Sequence, residues 1–197
     1  MERLMIVDGH SLMNRAFYAM GNVNLTTPDG RPSGALYNFY NMLMRYLDEY
    51  EPTHLVVAFD LSDPTFRHEA YADYKAGRKP MPDDLRVQFP MLRESLDAAG
   101  ITYLEQSGLE ADDLIGCVSQ LADDEHHVYI LSGDRDTLQL VNENVTQVMP
   151  QNRGKTTVYD PETVEELHGI RPDQVVDLKA LMGDSSDNIP GVKGIGV

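Results

Sequence analysis

The sequence predicts an α/β protein with a mostly parallel central sheet and helices on both faces. Three observations carry that expectation. Short apolar, often β-branched runs alternate with helical segments along the chain, the pattern of successive βαβ units. Acidic residues fall where those runs end, at Asp8, Asp60 and Asp134. The length of 197 residues, with 42% hydrophobic and 24% charged residues, suits one soluble domain, or one domain with a small appendage.

The elements follow in order. Leu4–Val7 is a short apolar run closed by Asp8, and Ser11–Met20 reads as a helix. NLTTPDGRPSG, residues 24–34, is a Gly/Pro loop, after which Ala35–Tyr50 has helical periodicity. His54–Phe59 (HLVVAF) is a strand that stops at Asp60. Arg86–Ala99 is helical and ends at Gly100, a fitting residue for the left-handed position after a helix. Ile101–Leu104 is a short strand, and GLEADD, residues 108–113, opens a helix running to about Asp123. Val128–Leu131, followed by SGD, and Val145–Met149 are the remaining strands.

Composition narrows the chemistry. A net charge of −16 argues against a protein that holds nucleic acid by bulk positive charge, unless many acids bind metal or face away from the substrate. Cys117 is the single cysteine, so no internal disulfide forms and a reducing cytoplasm is the expected setting. The four apolar residues within MERLMIVDGH are too few for a signal peptide, and no later run approaches a membrane span.

The acids are the informative residues. Glu110, Asp112 and Asp113 lie within four positions, and like charges about 4 Å apart repel by roughly 4 kcal/mol at an effective dielectric near 20. Taken alone, such a segment reads first as helix capping, because the first turn of a helix stabilises negative charge. The rest of the chain changes that balance. In an open α/β sheet, ligands bind at the C-terminal edge of the strands. Asp8, Asp60, Asp134, Asp136 and the GLEADD acids are all expected on that edge, more carboxylates than capping requires. Carboxylates without neighbouring His or Cys select hard cations such as Mg²⁺ or Mn²⁺, and so many of them imply two ions, the recurring device for phosphodiester hydrolysis. His10, beside Asp8, is read as a turn or packing residue. Between residues 66 and 89, Arg67, Lys75, Arg78, Lys79 and Arg86 alternate with Phe66, Tyr71, Tyr74 and Phe89, a combination that suits single-stranded nucleic acid.

Six motifs in order then resemble one family, the 5′ nucleases: flap endonucleases and the 5′→3′ exonuclease domains of bacterial DNA polymerase I, the latter being the closer likeness. They are VDGH (7–10), FD (59–60), FRHEAYADYKAGR (66–78), GLEADD (108–113), SGDRD (132–136) and MGDSSDNIPGVKGIG (182–196), so the resemblance runs nearly end to end. It implies a PIN-like, resolvase-like nuclease core over 1–160 with a helical arch at about 64–90. A C-terminal helical DNA-binding region would begin at 161. By resemblance, Asp8, Asp60, Glu110 and Asp112 hold the first metal, with Asp113 at the shared boundary. Asp134, Asp136 and Asp187 hold the second, supported by Asp184. Tyr74, Lys75, Arg78 and Lys79 belong to the arch, with Arg67 nearer the scissile phosphate and Lys75 the residue expected to touch it. IPGVKGIG resembles the start of a helix–hairpin–helix element, in which Gly191, Lys193, Gly194 and Gly196 would approach duplex phosphate, often around K⁺. The family continues beyond this point, so the chain is expected to be a truncated form with weak duplex binding. The substrate implied is DNA with a 5′ flap or an RNA primer, cut by a monomer to which a polymerase is sometimes fused.

Three other readings exist. ILSGDRDT (130–137) has the DxDxT pattern of haloacid-dehalogenase-like phosphatases, with Asp134 as nucleophile, but that leaves VDGH, FD and GLEADD unexplained. A PIN-type ribonuclease shares the acidic rim but lacks the arch and the Gly-rich hairpin. The third is a DNA-structure or protein-binding module that keeps the fold but has lost activity through truncation; the acids do not suggest a dead site, since none of the motif carboxylates is replaced.

Overall fold

The computed structural model describes residues 1–21 and 24–195. In chain order the elements are β1 (Glu2–Asp8), α1 (Gly9–Ala19), α2 (Gly34–Tyr50), β2 (His54–Ala58), α3 (Phe66–Ala70), α4 (Asp83–Arg86), α5 (Gln88–Ala99), β3 (Thr102–Leu104), α6 (Ala111–Ser119), β4 (His126–Leu131), β5 (Val145–Pro150) and β6 (Thr156–Tyr159). Then come α7 (Pro161–His168), α8 (Val175–Met182) and a two-residue ladder of β7 (Gly183–Asp184) with β8 (Ile189–Pro190).

The six-stranded sheet runs in the order β3-β2-β1-β4-β5-β6, parallel throughout except for β6. Its core follows from the period-2 alternation of strand side chains. Met5 and Val7, Val57, Leu131 and Val148 face one side, where α1, α2 and α5 cover them with Leu12, Phe39, Leu43, Leu92 and Leu96. Ile6, Ala58, Val128, Ile130 and Val145 face the other side, under Ala111 and Ile115 of α6. Both faces being buried explains why the strands read as continuous apolar runs. The predicted sheet with helices on both faces is the one observed.

Chain order reverses at β1. One crossover leads outward to β2 and β3, while β4 and β5 lie on the other flank, so the ends of β1 and β4 form a topological switch point. Gly9 sits there, and a Cβ on it would lie 2.3 Å from Cε1 of Phe59 and 2.9 Å from the carbonyl oxygen of Ala58. Gly9→Ala is therefore expected to cost about 1–3 kcal/mol by overpacking and to lower Tm by several degrees. A thermal melt checks this, and an unchanged Tm would mean that the Phe59 ring swings aside freely.

Some boundaries differ from expectation. The helix predicted from Arg86 is broken at Val87, because Pro90 fits only the first turn of a helix and forces α5 to start afresh at Gln88. Gly100 is left-handed, as its place after the helix requires, with φ of 68°. Apolar patterning did not mark β6, a four-residue antiparallel edge strand, nor the individual helices α7 and α8, which lie in the stretch from 161 that the resemblance implied to be helical. Sharp signals flank α7: the Asp160 carboxylate accepts the Thr163 N–H at 2.8 Å, Pro161 opens the helix, and Gly169 closes it. These elements join the rest through a third cluster of Leu138, Val141, Met149, Tyr159, Val164 and Val175. Among the described residues, no helix is long and apolar enough to cross a membrane.

Candidate metal and nucleic-acid site

The carboxylates are delivered by the ends of elements. Asp8 ends β1 and caps α1, its Oδ1 accepting the Ser11 N–H at 2.9 Å while Oδ2 accepts the Ser132 hydroxyl at 2.8 Å. Asp60 follows β2, and its Oδ1 accepts the Ala111 N–H at 2.7 Å, tying that strand end to the start of α6. Asp134 and Asp136 lie in the turn after β4, where the Asp136 N–H donates to Asp134 at 2.9 Å. Asp184 and Asp187 come from the turn beyond α8. With Glu110 and Asp112, these eight residues line one cavity of about 840 Å³ at the switch point.

Asp113 is the exception among the nine acids singled out in the sequence, for it does not line the cavity. It accepts the backbone N–H of Glu110 at 2.9 Å and pairs through both oxygens, at 2.8 Å each, with the guanidinium of Arg67. The capping explanation for GLEADD thus holds for one of its three carboxylates. Glu110 and Asp112 face the cavity instead.

Crowding of like charge shows in the titration of the rim. Burial, with the charges of Asp8, Asp134, Asp60 and Asp136 behind it, pushes the Asp112 carboxyl up to about 8. Burial likewise raises Asp8 to about 6, against the hydrogen bonds from Ser11 and Ser132. Asp136 is also raised, chiefly by burial. At Asp184, burial acts upward too, but the Lys179 ammonium and the Ser186 donors outweigh it and hold the carboxyl below its ordinary range.

Basic side chains gather on the acids that remain. The Lys75 ammonium lies 2.8 Å from Glu110, and the Lys75 backbone N–H donates to the Asp187 carbonyl at 2.9 Å. Arg78 pairs with Asp187, and Lys179 bridges Asp136 and Asp184. Tyr74, expected as a platform for bases, is buried instead, its hydroxyl donating to Glu110 and Asp187 at 3.0 Å each. Burial and those two carboxylates raise its phenol above the ordinary value. Phe66 is 52% exposed, with the Arg67 guanidinium 4.5 Å from its ring centre, and Tyr71 is also exposed. Lys79, Gly191, Lys193 and Gly194 are exposed, and Gly196 lies outside the described residues. At Gly191 a Cβ would meet the Met182 carbonyl oxygen at 2.2 Å, so this turn needs glycine to pack against α8.

The donor set fits hard divalent cations. It is dominated by carboxylate oxygens, without thiolate and with His10 and His168 the imidazoles on the same wall, and is crowded enough that Asp8, Asp112 and Asp136 are all raised when nothing offsets their charge. Asp136, Asp184 and Asp187 bring ligand oxygens within 4.8 Å of one another, the one such group among the described residues. The Lys179 ammonium rests on two of these three, supplying the positive charge the trio requires. Asp8, Asp60, Glu110 and Asp112 share the cavity but do not close to that distance, since Asp60 and Glu110 are drawn aside to Ala111 and Lys75.

Sequence reasoning missed Lys179, Ser132 and Gln147. Lys179 left a signal as a basic residue five positions before Asp184 at a helix end, and Ser132 opens the SGDRD motif, although no role was read for it. His10 does pack: it stacks on Phe89 with ring centres 4.5 Å apart, and its Nδ1 accepts the Asp60 N–H at 3.2 Å. Burial lowers its pKa, consistent with a neutral ring.

Fold and rim together define a class: an α/β protein whose sheet ends in a carboxylate centre suited to divalent cations and flanked by bases and aromatics. Residues 3–169 match the 5′-3′ exonuclease N-terminal resolvase-like domain, and residues 170–197 match the 5′-3′ exonuclease C-terminal SAM fold. The chain belongs to the 5′-3′ exonuclease family, a family of nucleases. It is 46% identical to DNA polymerase I of Caldicellulosiruptor bescii over 98% of this chain and 23% of that protein. With DNA polymerase I of Bacillus caldotenax the identity is 47%, over 99% of this chain and 22% of the relative. The chain thus spans less than a quarter of the length of these relatives. Among solved structures, a T5 protein co-crystallised with metal ions superposes with a TM-score of 0.77 at 25% identity, covering 99% of this chain and 71% of that one. The bacteriophage T5 flap endonuclease in a pseudo-enzyme-product complex with DNA and metal ions gives 0.76 at 26% identity, with the same coverage.

Proposed function

We propose that the chain is a divalent-metal-dependent 5′ nuclease that hydrolyses DNA phosphodiester bonds at a 5′ single-stranded arm, in primer removal and repair. The observation that carries this reading is the convergence of eight carboxylates from separate segments on one cavity, with Lys75 and Arg78 on its wall. Asp8, Asp60, Glu110 and Asp112 would hold one Mg²⁺ or Mn²⁺, and Asp134, Asp136, Asp184 and Asp187 a second. Asp113 acts on Arg67 and is withdrawn from the ligand set. When bound, two such ions acidify a water and neutralise charge on the attacked phosphate and the leaving oxygen.

The chain's own residues do the rest. Lys75 sits beside Glu110 on a flexible four-carbon stem, so its ammonium can turn from that carboxylate to an entering phosphate. Arg67, its fork fixed by Asp113, lies 3.6 Å from Glu110 Oε2 and would turn its remaining donors to an entering phosphate. Arg78, Lys79 and Lys193 would hold strand phosphates, and Gly191 and Gly194 would allow backbone to approach duplex, with K⁺ a further ligand there. Relatives about four times as long, named DNA polymerase I, support reading this chain as a nuclease domain. Action as a monomer on flaps or RNA primers is part of the same proposal.

A labelled 5′-flap substrate incubated with and without Mg²⁺ tests the reading, which fails if cutting proceeds equally in EDTA or if a phospho-aspartate accumulates at Asp134. In the same assay, Lys75→Ala is expected to slow the single-turnover step at least ~10-fold through lost phosphate stabilisation. A rate within two-fold of the parent chain would remove Lys75 from contact with the phosphate.

A further inference from the structure

Beneath the acidic rim lies a polar pair that takes no direct part in the proposed chemistry. Ser132, directly after β4, is 1% exposed. Its hydroxyl donates to Asp8 Oδ2 at 2.8 Å and accepts the Asp134 N–H at 3.0 Å. One oxygen atom therefore joins a carboxylate on β1 to the backbone that carries a carboxylate after β4. These are the two strands that flank the switch point.

Gln147 on β5 is 0% exposed. Its Nε2 donates to the carbonyls of Ser132 at 3.3 Å and Asp134 at 2.6 Å, gripping the turn on both sides of Gly133. Both amide hydrogens are used there. The opposite amide orientation would set its oxygen against two carbonyl oxygens, so the donors must point this way. The consequence is that Gln147 Oε1 is buried with no partner. An apolar residue of similar size would remove that orphan but take the donor from the Ser132 and Asp134 carbonyls, so Gln147 exchanges one unpartnered oxygen for a fixed turn. From α1, the Ser11 hydroxyl accepts the Gly133 N–H at 2.9 Å, completing a three-sided clamp on residues 132–134.

We propose that Ser132, held in place by Gln147, is a positioning residue that fixes Asp8 relative to Asp134 and so sets the spacing of the two cation positions. With Oδ1 held by Ser11 and Oδ2 by Ser132, the Asp8 carboxylate is locked in rotation and keeps a free lone pair on each oxygen. Removing the hydroxyl lets Asp8 turn and unpins Asp134. Groups that orient ligands in this way typically change metal affinity or activity by ~10–100-fold when lost.

The inference rests on the two-cation reading above, and the experiment separates the two. Mn²⁺ alone is titrated calorimetrically into the parent chain, Ser132→Ala, Ser132→Thr and Gln147→Leu, without DNA, and flap cleavage and metal-free melting are measured beside it. Ser132→Ala and Gln147→Leu are expected to weaken Mn²⁺ binding about 10-fold or more and to lower kcat similarly, with KM for the flap within two-fold, while Ser132→Thr restores most of both. For Gln147→Leu the metal-free Tm is expected to fall modestly, because the Ser132 and Asp134 carbonyls lose a donor, and Mn²⁺ affinity is expected to fall with it. A purely structural residue would lower Tm while leaving Mn²⁺ affinity and kcat of the folded protein within two-fold of the parent. If Ser132→Ala fails to fold, Gln147→Leu decides the matter with Ser132 still in place. Mn²⁺ affinity and kcat of Gln147→Leu within two-fold of the parent would overturn the proposal. Metal-independent cleavage by the parent chain would sink the nuclease reading instead, leaving the Mn²⁺ isotherms to report on positioning alone.

Discussion

Asp112→Asn is expected to abolish cleavage while leaving affinity for a flap unchanged or higher. Among the described residues, no hydrogen bond or ion pair reaches the Asp112 carboxylate, whereas Asp8, Asp60 and Glu110 each have donors. It is the rim acid whose charge has least compensation from the protein, which is why its carboxyl is pushed up to about 8. The amide removes both a cation ligand and a charge that repels phosphate. Single-turnover rates are expected to fall on the order of 10³-fold, the scale of losing a preorganised electrostatic contact. Gel-shift affinity for the same flap in Ca²⁺ or EDTA should hold or improve. Metal-free stability should rise, since a carboxyl pushed up to about 8 carries a penalty of about a few kcal/mol once ionised. A variant that cuts at the normal rate removes Asp112 from the ligand set.

The contrast between Asp112 and Asp113 shows how far sequence alone reaches. Strand ends and a parallel βαβ order were enough to place Asp8, Asp60 and Asp134 on one rim, because register fixes where a strand's last side chain lies. Pattern could not say which of two adjacent helix-start acids turns inward. That depends on Arg67, forty-six positions upstream of Asp113, arriving to claim one of them. Tyr74 failed for a similar reason. An aromatic between basic residues resembles a base-stacking platform, yet two long-range carboxylates, Glu110 and Asp187, capture its hydroxyl and bury it. Ser132 stood inside the SGDRD motif without a readable role and Gln147 carried no signal, since their roles exist only once three strands are aligned.

The metal-free chain is expected to melt several degrees lower at pH 9 than at pH 7, and saturating Mg²⁺ is expected to erase the difference. Asp112 has a folded value of about 8 against 3.8 unfolded, so between those values the folded state binds more protons. Stability then falls as pH rises, with the loss complete once pH passes the folded value. From pH 7 to 9 this amounts to about 1.4 kcal/mol for one such group. That corresponds to roughly 3–5 °C in a domain of this size. Below pH 7 the slope is mixed. Asp8, at about 6, acts in the same direction, but buried His10, His127 and His168 have lowered values and gain stability as pH rises through their unfolded value of 6.5. Asp113 and Asp184, held low, contribute stability that is lost only in acid, below their unfolded value of 3.8. The window above pH 7 therefore isolates Asp112. Mg²⁺ binds the ionised rim, so a melt at saturating metal should show no decline, or a rise, over the same interval. Asp112→Asn without metal should be flat. A parent chain whose metal-free Tm is level from pH 7 to 9 would mean that Asp112 is already ionised, its charge met by solvent rather than awaiting a cation.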